Sequence, residues 1–529
     1  MNTQDLISST KTEIFFFDNG IESLSPQIVG SKAYNLMKMT NLGLLVPPGF
    51  VLGTKYCQEY FENGKKIPQN LADSVYLAIK KLEQVVAANR SRQPLLVSVR
   101  SGAAVSMPGM MDTILNVGLN DAVVLDLVRI TGNPRFAWDS YRRLVESYGD
   151  IVQKINPKLF DDIVQKYLQS EGLRDTQELS SDQLKNITTD FLLLYREKSS
   201  KRFPMSLQEQ LLGAIEAVFE SWENPRAVEY RRINGLENLC GTAVIIQMMV
   251  FGNMGMTSGS GVGFTRNPTN GHDELYLDYL SNSQGEDVVS GKFLCKDSQY
   301  LQSIMPLAYD EIQQIKRKLE LHFMDAQDFE FTIQEGKLYL LQTRSAKRTP
   351  WAALKIAVDL VSQGIIDSSI AKQRLAKIDH ALISRQRLVV DMQKPLAIGL
   401  PASHGAAHGK IALSLVDAKN LSRAGQPVIL VREDFSTDDL EALNISEGIL
   451  TMVGGKTSHA AVVARQLDKV CIVGCKNLII NRDHCIIGNK QLNIGDFISL
   501  DANSGYVYGE KIPIELERPT ELTAKISEW

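Results

Sequence analysis

Residues 454–465 read GGKTSHAAVVAR and place His459 between a flexible Gly454-Gly455 pair and a run of small residues with helical character. Such a histidine is expected at an exposed turn rather than along an apolar stripe. The free N–H groups and the dipole at the start of the following helix favour a negatively charged group such as a phosphate. Neutral imidazole is a nucleophile near pH 7, because its unperturbed pKa is about 6.5. The pattern therefore predicts that His459 accepts a phosphoryl group and passes it on.

Two other interpretations of this stretch compete. Gly455-Lys456-Thr457 could end a P-loop, but that motif needs a glycine five residues before its last glycine, and Leu450 stands there. A histidine in a glycine turn can also be purely structural or solvated. The residues alone leave that second interpretation open.

Length and composition limit the class of protein. The chain has 529 residues, 44% hydrophobic and 22% charged, so we expect two to four soluble domains. A net charge of −4 gives no electrostatic reason to expect nucleic acid or an anionic membrane as a partner. Six dispersed cysteines, with Cys471 and Cys475 four apart, favour reduced buried thiols and a cytoplasmic location.

The hydrophobic patterns change along the chain. Residues 1–350 mix helices and strands, and 120–235 are predicted to be largely helical, with amphipathic runs such as Leu207–Trp222. Residues 351–392 are predicted to form a helical linker, and short β-rich runs then fill a compact domain over 393–515. Residues 516–529 are predicted to be a polar C-terminal tail.

The stretch from Ile449 to Arg465 resembles the phosphohistidine signature of the pyruvate phosphate dikinase and phosphoenolpyruvate synthase family. Ser106–Thr113, SMPGMMDT, is similar to the dikinase branch in particular. The similarity runs from about residue 16 to 529. Val453 stands where the family often has arginine, and Lys456 where methionine is usual.

The resemblance implies an α+β or α/β multidomain fold. An ATP-grasp nucleotide-binding domain with a helical insertion would precede a swivelling β/β/α phosphohistidine domain. Gly30-Ser31-Lys32 resembles the opening of the ATP-grasp domain, which implies that Lys32 binds phosphate. Arg100 follows an apolar strand into a glycine turn, where a guanidinium suits a polyphosphate.

Three further motifs match the family. Gln247 and Met249 lie in a segment that resembles its adenine-binding hinge strand. Gly259 and Gly261 lie in Ser258–Gly263, which we predict to be a glycine-rich loop that binds the cofactor. Thr457, beside the histidine, is also predicted to bind the cofactor.

Asp328 and Glu330 are two residues apart, so a strand would place both carboxylates on one face. Oxygen ligands at this spacing suit Mg²⁺ on ATP phosphates, although alternating charges on a strand more often form a solvent face. The family has the same pair, followed by Gln342 and Arg344 at the same spacing. The resemblance implies that Asp328 and Glu330 bind the metal, and that His459, Arg100, Arg344 and Gln342 are catalytic.

The sequence thus predicts an ATP-dependent histidine phosphotransferase with ATP, phosphate and Mg²⁺ as ligands. ATP and phosphate would yield AMP, pyrophosphate and a phosphohistidine, and the phosphohistidine domain would swivel on the linker. The family's C-terminal barrel is not found here, so we expect the acceptor site to lie on a separate pyruvate- or phosphoenolpyruvate-binding subunit or to be missing. A non-pyruvate acceptor, a non-catalytic scaffold and a homo-oligomer remain open.

Overall fold

The computed structural model describes residues 13–88, 94–107, 110–289, 293, 295–379, 383–435, 439–455 and 458–529. The chain divides into two compact units: Met1–Val250 with Tyr339–Gln342, and Phe251–Leu338 with Thr343–Trp529. Both units mix helices and sheets, which confirms the predicted α/β multidomain class. Among the described residues, no helix has the length and apolarity needed to span a bilayer.

The first unit contains a five-stranded sheet in the order β1-β2-β5-β3-β4, with antiparallel neighbours. The stretch predicted to be helical, 120–235, contains α4 to α9, and a short 3-10 helix (Thr176–Glu178) lies between α6 and α7. The elements are β1 (Ile14–Phe16), α1 (Pro26–Asn41), β2 (Gly49–Leu52), α2 (Thr54–Glu62), α3 (Gln69–Ala88), β3 (Val97–Gly102), β4 (Thr113–Val117), α4 (Asp121–Thr131), α5 (Pro134–Gln153), α6 (Pro157–Glu171), α7 (Ser181–Ser199), α8 (Leu207–Ser221), α9 (Pro225–Ile233) and β5 (Ala243–Met248).

The second unit begins with a four-stranded sheet in the order β7-β6-β8-β9. β6 pairs antiparallel with both β7 and β8. The elements are β6 (Gly259–Phe264), β7 (Tyr276–Ser281), α10 (Gly285–Val289), α11 (Ser298–Ile304), α12 (Pro306–Phe323), β8 (Gln327–Gln334) and β9 (Lys337–Ser345).

The predicted glycine-rich loop over Ser258–Gly263 is wrong, because this segment forms β6, which lies between β7 and β8 in its sheet. A side chain at Gly259, Gly261 or Gly263 would collide with the rings of Tyr279, Phe331 and Phe329, respectively. The glycines therefore have a packing reason: they make room for three aromatic side chains on one face of the sheet. A nucleotide-binding role for Gly259 and Gly261 stays a prediction.

The rest of the second unit is built around an eight-stranded sheet in the order β11-β21-β20-β13-β14-β15-β16-β12. Its elements are α13 (Pro350–Ser362), α14 (Ser368–Leu375), β10 (Arg385–Leu388), β11 (Ala397–Ile398), β12 (Leu400–Pro401), β13 (Ala406–Ala412), α15 (Leu415–Arg423), β14 (Val428–Arg432), α16 (Leu440–Asn444), β15 (Gly448–Thr451), α17 (His459–Gln466), β16 (Val470–Val473), β17 (Leu478–Ile480), β18 (His484–Ile487), β19 (Lys490–Asn493), β20 (Phe497–Asp501), β21 (Tyr506–Tyr508), β22 (Ile514–Glu517) and α18 (Thr520–Ser527).

This sheet has a different partner on each face. The central strands β13 to β16 are parallel, and a helix follows each of the first three. Val428 and Leu430 pack with residues of α15, α16 and α17, whereas Ile429 and Val431 pack with residues of β17 to β20. Alternate residues of β14 thus face helices on one side and strands on the other, which gives the β/β/α arrangement.

The predicted polar tail is wrong for the last residues. β22 pairs with β10, and α18 follows it. Ile526 of α18 is buried in a cluster with Ile356 and Leu360 of α13. Apolar residues three to four apart, Leu522 and Ile526, explain why this short segment packs as a helix.

Gly30 determines how α1 meets β3 in the first unit. Its φ of 75° interrupts the helix, and a Cβ at this position would overlap the carbonyl oxygen of Gly102. Immediately after the break, Ser31 donates its backbone N–H to Ala103 O at 2.9 Å. The break in the helix therefore places the helical segment that carries Lys32 against the end of β3.

We predict that Gly30→Ala lowers the free energy of unfolding by about 2–5 kcal/mol, since the positive-φ backbone costs about 1–2 kcal/mol and overpacking adds about 1–3 kcal/mol. Gly43→Ala is the matched control, because Gly43 has a φ of 70° but no atom within 4 Å of its Cβ position. Gly43→Ala should lower the free energy of unfolding only by the cost of the backbone conformation. Denaturant titrations of both variants check this, and equal losses would contradict the close packing at Gly30.

Candidate functional site

The loop that leads to His459 is a tight turn after β15. Thr451 Oγ1 donates to Val453 O at 2.6 Å, Gly454 has a φ of 113°, and Ser458 N donates to Gly455 O at 3.0 Å. Helix α17 then begins at His459, as the sequence predicts. Thr457 and Lys456 lie outside the described residues, as do Pro108 and Gly109 of the SMPGMMDT motif.

The start of α17 has an unusual polar group. Ser458 is its N-cap residue and is buried, yet its Oγ has no hydrogen-bond partner among the described residues. A buried hydroxyl without a partner is costly, and the first N–H groups of a helix also lack intrahelical acceptors. Both features suit a transient anionic group at this helix terminus.

Three carboxylates lie on one face of the sheet formed by β6, β7 and β8. Val262 of β6 is directly opposite Asp278 of β7 and Glu330 of β8, and Phe264 is opposite Asp328. Residues opposite each other or two apart share a face, so Asp278, Glu330 and Asp328 do so. This register places the predicted metal pair on the face opposite the aromatic rings.

The histidine loop packs on this face. A Cβ at Gly455 would lie 3.0 Å from Oδ2 of Asp278 and 3.3 Å from Cβ of Cys295. Asp278 is only 1% exposed, so its carboxylate is enclosed beside the loop. Neighbouring strands are about 4.8 Å apart, so β7 and β8, with β6 between them, are about 10 Å apart.

Sequence analysis missed Asp278. The signal was a single carboxylate within the apolar run Tyr276–Leu280, YLDYL, because charged side chains are seldom buried. On the same face, Tyr276 donates its hydroxyl to Pro401 O at 2.9 Å and so attaches β7 to β12.

Asp328 and Arg344 form a close ion pair. Nε of Arg344 lies 2.8 Å from Oδ1 and 2.6 Å from Oδ2 of the buried carboxylate. Burial, together with the nearby Glu330 carboxylate, raises the pKa of Asp328 to about 6, although Arg344 opposes the shift. Thr343 Oγ1 also lies 3.2 Å from Asp328 O.

These residues fit a Mg²⁺ ion that also binds phosphate. Asp328 is buried and Glu330 is half-buried on the same face, and a cation there would offset the cost of two desolvated carboxylates. Within the described part of the chain, no group of three or more histidine, cysteine, aspartate or glutamate side chains is arranged to hold a metal. Asp328 and Glu330 would supply two oxygen ligands to Mg²⁺, and oxygens of the substrate would supply others.

In the first unit, Lys32 and Arg100 lie on packed elements. Lys32 follows Ser31, whose N–H and Oγ both donate to Ala103 O just after β3. Arg100 lies within β3 and is half-buried, and its Nη1 donates to Leu341 O at 3.4 Å. The α1–β3 contact thus supports the segments that carry both cations.

The other predicted residues of this unit lie on or beside strands. Gln247 of β5 is 1% exposed, and its Nε2 donates to Pro47 O at 3.0 Å, so its side chain holds the chain before β2. Met249 donates its N–H to Leu96 O at 2.8 Å. Gln342 of β9 is buried.

Two family models match the parts of the chain that carry the carboxylate pair and the β/β/α sheet. Residues 63–304 and 293–363 match the family described as pyruvate phosphate dikinase, AMP/ATP-binding domain. Residues 424–505 match the family described as PEP-utilising enzyme, mobile domain.

Curated relatives agree with these matches. Pyruvate, phosphate dikinase of Clostridium symbiosum is 45% identical over 503 residues, which cover 94% of this chain and 57% of the relative. The chloroplastic enzyme of Mesembryanthemum crystallinum is 43% identical over 506 residues, 94% of this chain and 53% of the relative. The chain spans about half the length of these relatives, and it belongs to the pyruvate phosphate dikinase family.

We predict that Gly455→Ala loosens the loop, because the added methyl group must displace Asp278 or Cys295. Overpacking of about 1–2 kcal/mol would speed amide hydrogen exchange at the start of α17 by about 5- to 30-fold. Gly20→Ala is the control, since no atom lies within 4 Å of that Cβ position. Unchanged exchange in the Gly455 variant would mean that the loop does not pack on Asp278.

Proposed function

We propose that this chain transfers a phosphoryl group from ATP to His459. The observation that supports the proposal most directly is the sheet face that carries Asp278, Glu330 and Asp328, because the loop before His459 packs against Asp278. Family membership supplies ATP as the phosphate donor.

In the first step, an imidazole nitrogen of His459 attacks the β-phosphorus of ATP. A new N–P bond forms, the bond between that phosphorus and the α–β bridging oxygen breaks, and AMP leaves. Lys32 and Arg100 would neutralise phosphate charge, and Arg344 and Gln342 would orient oxygens during transfer. The helix terminus at Ser458 would accept the new anionic group.

In the second step, an oxygen of inorganic phosphate attacks the terminal phosphorus of the pyrophosphorylated histidine. The bridging P–O bond breaks, pyrophosphate leaves and phosphohistidine remains. Asp328 and Glu330 would hold Mg²⁺, which neutralises phosphate charge when bound. Gln247 and Met249 would flank the adenine.

The acceptor of the phosphohistidine is a further proposal. The relatives' names give pyruvate and phosphate as substrates of those proteins. For this chain, we propose that pyruvate receives the phosphoryl group at a site outside these 529 residues. The domain over 393–515 would carry the histidine between sites by moving on the linker at 351–392.

We predict that ATP labelled at the β-phosphate transfers an acid-labile label to the protein in the presence of Mg²⁺ and phosphate. His459→Ala should abolish this label, whereas His484→Ala, on the β18 hairpin strand, should retain it. Label from the γ-phosphate should appear on the protein without phosphate and leave as pyrophosphate when phosphate is added. Labelling of the His459 variant would contradict the proposal.

We predict that Glu330→Gln raises the Mg²⁺ concentration required for labelling by about tenfold or more, because the amide removes one charged oxygen ligand. Glu335→Gln is the control, since Glu335 is exposed in the turn after β8. A magnesium titration of labelling rates compares the two variants with the original protein. An unchanged requirement in Glu330→Gln would exclude Glu330 as a ligand.

A further inference from the structure

Two buried side-chain amides in the second unit have no hydrogen-bond partner. Asn253 is 8% exposed and Gln284 is 4% exposed, and in the described part of the chain neither the oxygen nor the nitrogen of either amide makes a hydrogen bond. Each buried polar atom without a partner costs about 1–3 kcal/mol, so such atoms call for a reason. Neither residue takes part in the phosphoryl transfer proposed above.

The two amides lie on neighbouring segments of the chain. A Cβ at Gly252 would lie 2.2 Å from Ser283 O, so the turn that carries Asn253 packs directly against the segment that carries Gln284. Ser260 Oγ donates to the same carbonyl oxygen at 2.9 Å. Each amide is next in sequence to one of the residues in this contact, so both belong to one polar region.

This region adjoins the carboxylate face of the sheet. Ser260 lies two residues before Val262 along β6 and is opposite Thr332, which lies two residues after Glu330 on β8. Residues two apart in a strand share a face, and the hydroxyls of Ser260 and Thr332 are 3.2 Å apart. Because Ser260 also holds the segment that precedes α10, that segment is attached to the face that carries the proposed metal ligands.

The chemistry of an unpaired amide restricts the group that it can bind. Each amide offers N–H donors and a carbonyl acceptor. The oxygens of an ionised phosphate only accept, and Mg²⁺ binds only the acceptor, so either would leave part of each amide unpaired. A hydroxyl both donates and accepts, and two neighbouring amides match two neighbouring hydroxyls. Since neither amide has a hydrogen bond to lose, turning toward such a ligand breaks none.

We infer that Asn253 and Gln284 bind the 2′- and 3′-hydroxyls of the nucleotide's ribose. The inference rests on the proposed function, which supplies the nucleotide. Asn253 follows Met249 by four residues, and Met249 is assigned to the adenine, to which the ribose is attached. Each amide binds one hydroxyl and gains hydrogen bonds that the free protein lacks. The pair thereby selects ribonucleotides over deoxyribonucleotides.

Isothermal titration with AMP, 2′-deoxy-AMP and 3′-deoxy-AMP tests this inference without any phosphoryl transfer. The original protein should bind AMP about tenfold more tightly than either deoxynucleotide. Gln284→Met, which keeps the length of the side chain, should abolish the preference over one of the two analogues, and Asn253→Leu the preference over the other. Gln491→Met is the control, since Gln491 is exposed on β19 and should leave both preferences unchanged.

Thermal unfolding separates ligand binding from a structural role. Gln284→Met should not lower the unfolding temperature of the free protein, because the amide that it removes makes no hydrogen bond. Gln210→Met should lower it, because Gln210 is also buried but its amide makes three hydrogen bonds.

The inference is overturned if the original protein does not bind AMP or binds all three nucleotides equally. It is also overturned if Gln284→Met and Asn253→Leu weaken all three nucleotides to the same extent. A third contrary result is that the variants keep the preference for ribose but no longer distinguish AMP from inosine 5′-monophosphate, which would place the amides at the base. Absence of label on His459, with the ribose preferences intact, would contradict only the proposed transfer.

Discussion

The register of β6 with its two neighbours is the constraint on which the site depends. Val262 lies between Asp278 and Glu330, so the carboxylates face one side while the rings of Tyr279, Phe329 and Phe331 fill the other. Because side chains alternate along a strand, a one-residue slip would exchange these two sets. The glycines of β6 make the aromatic side possible and thereby fix the polar side.

The polar face carries a cost of burial. Burial raises the pKa of Asp328 to about 6, and Arg344 only partly compensates for the lost hydration. Asp278 is also buried, next to the loop that leads to α17. A bound cation would offset this cost, in keeping with the proposal that Asp328 and Glu330 hold Mg²⁺.

Much of the architecture could be predicted from local pattern. In the structure, the apolar run before Arg100 forms β3. The β-rich run at Val428 forms β14, and the amphipathic stretch that starts at Leu207 forms α8. The start of α17 at His459 was also predicted, since small helix-forming residues follow a glycine turn.

What could not be predicted depends on contacts distant in sequence. The glycines of β6 suggest a loop until the aromatic rings that cover them are known. Asp278 becomes a candidate functional residue only once the structure shows that Gly455, far along the chain, packs against it. The helix α18 looks polar in sequence, and its packing on α13 reveals the apolar pair that stabilises it.

The central claim is that the histidine loop packs on the carboxylate face, and a disulfide tests it most directly. In Gly455→Cys, the new Cβ would lie 3.3 Å from Cβ of Cys295, close to the disulfide range of about 3.5–4.5 Å. Mild oxidation followed by peptide mass mapping should show the two residues joined, and Cys295→Ser should remove the bond. A thiol at position 455 that stays free under the same oxidation would contradict the account.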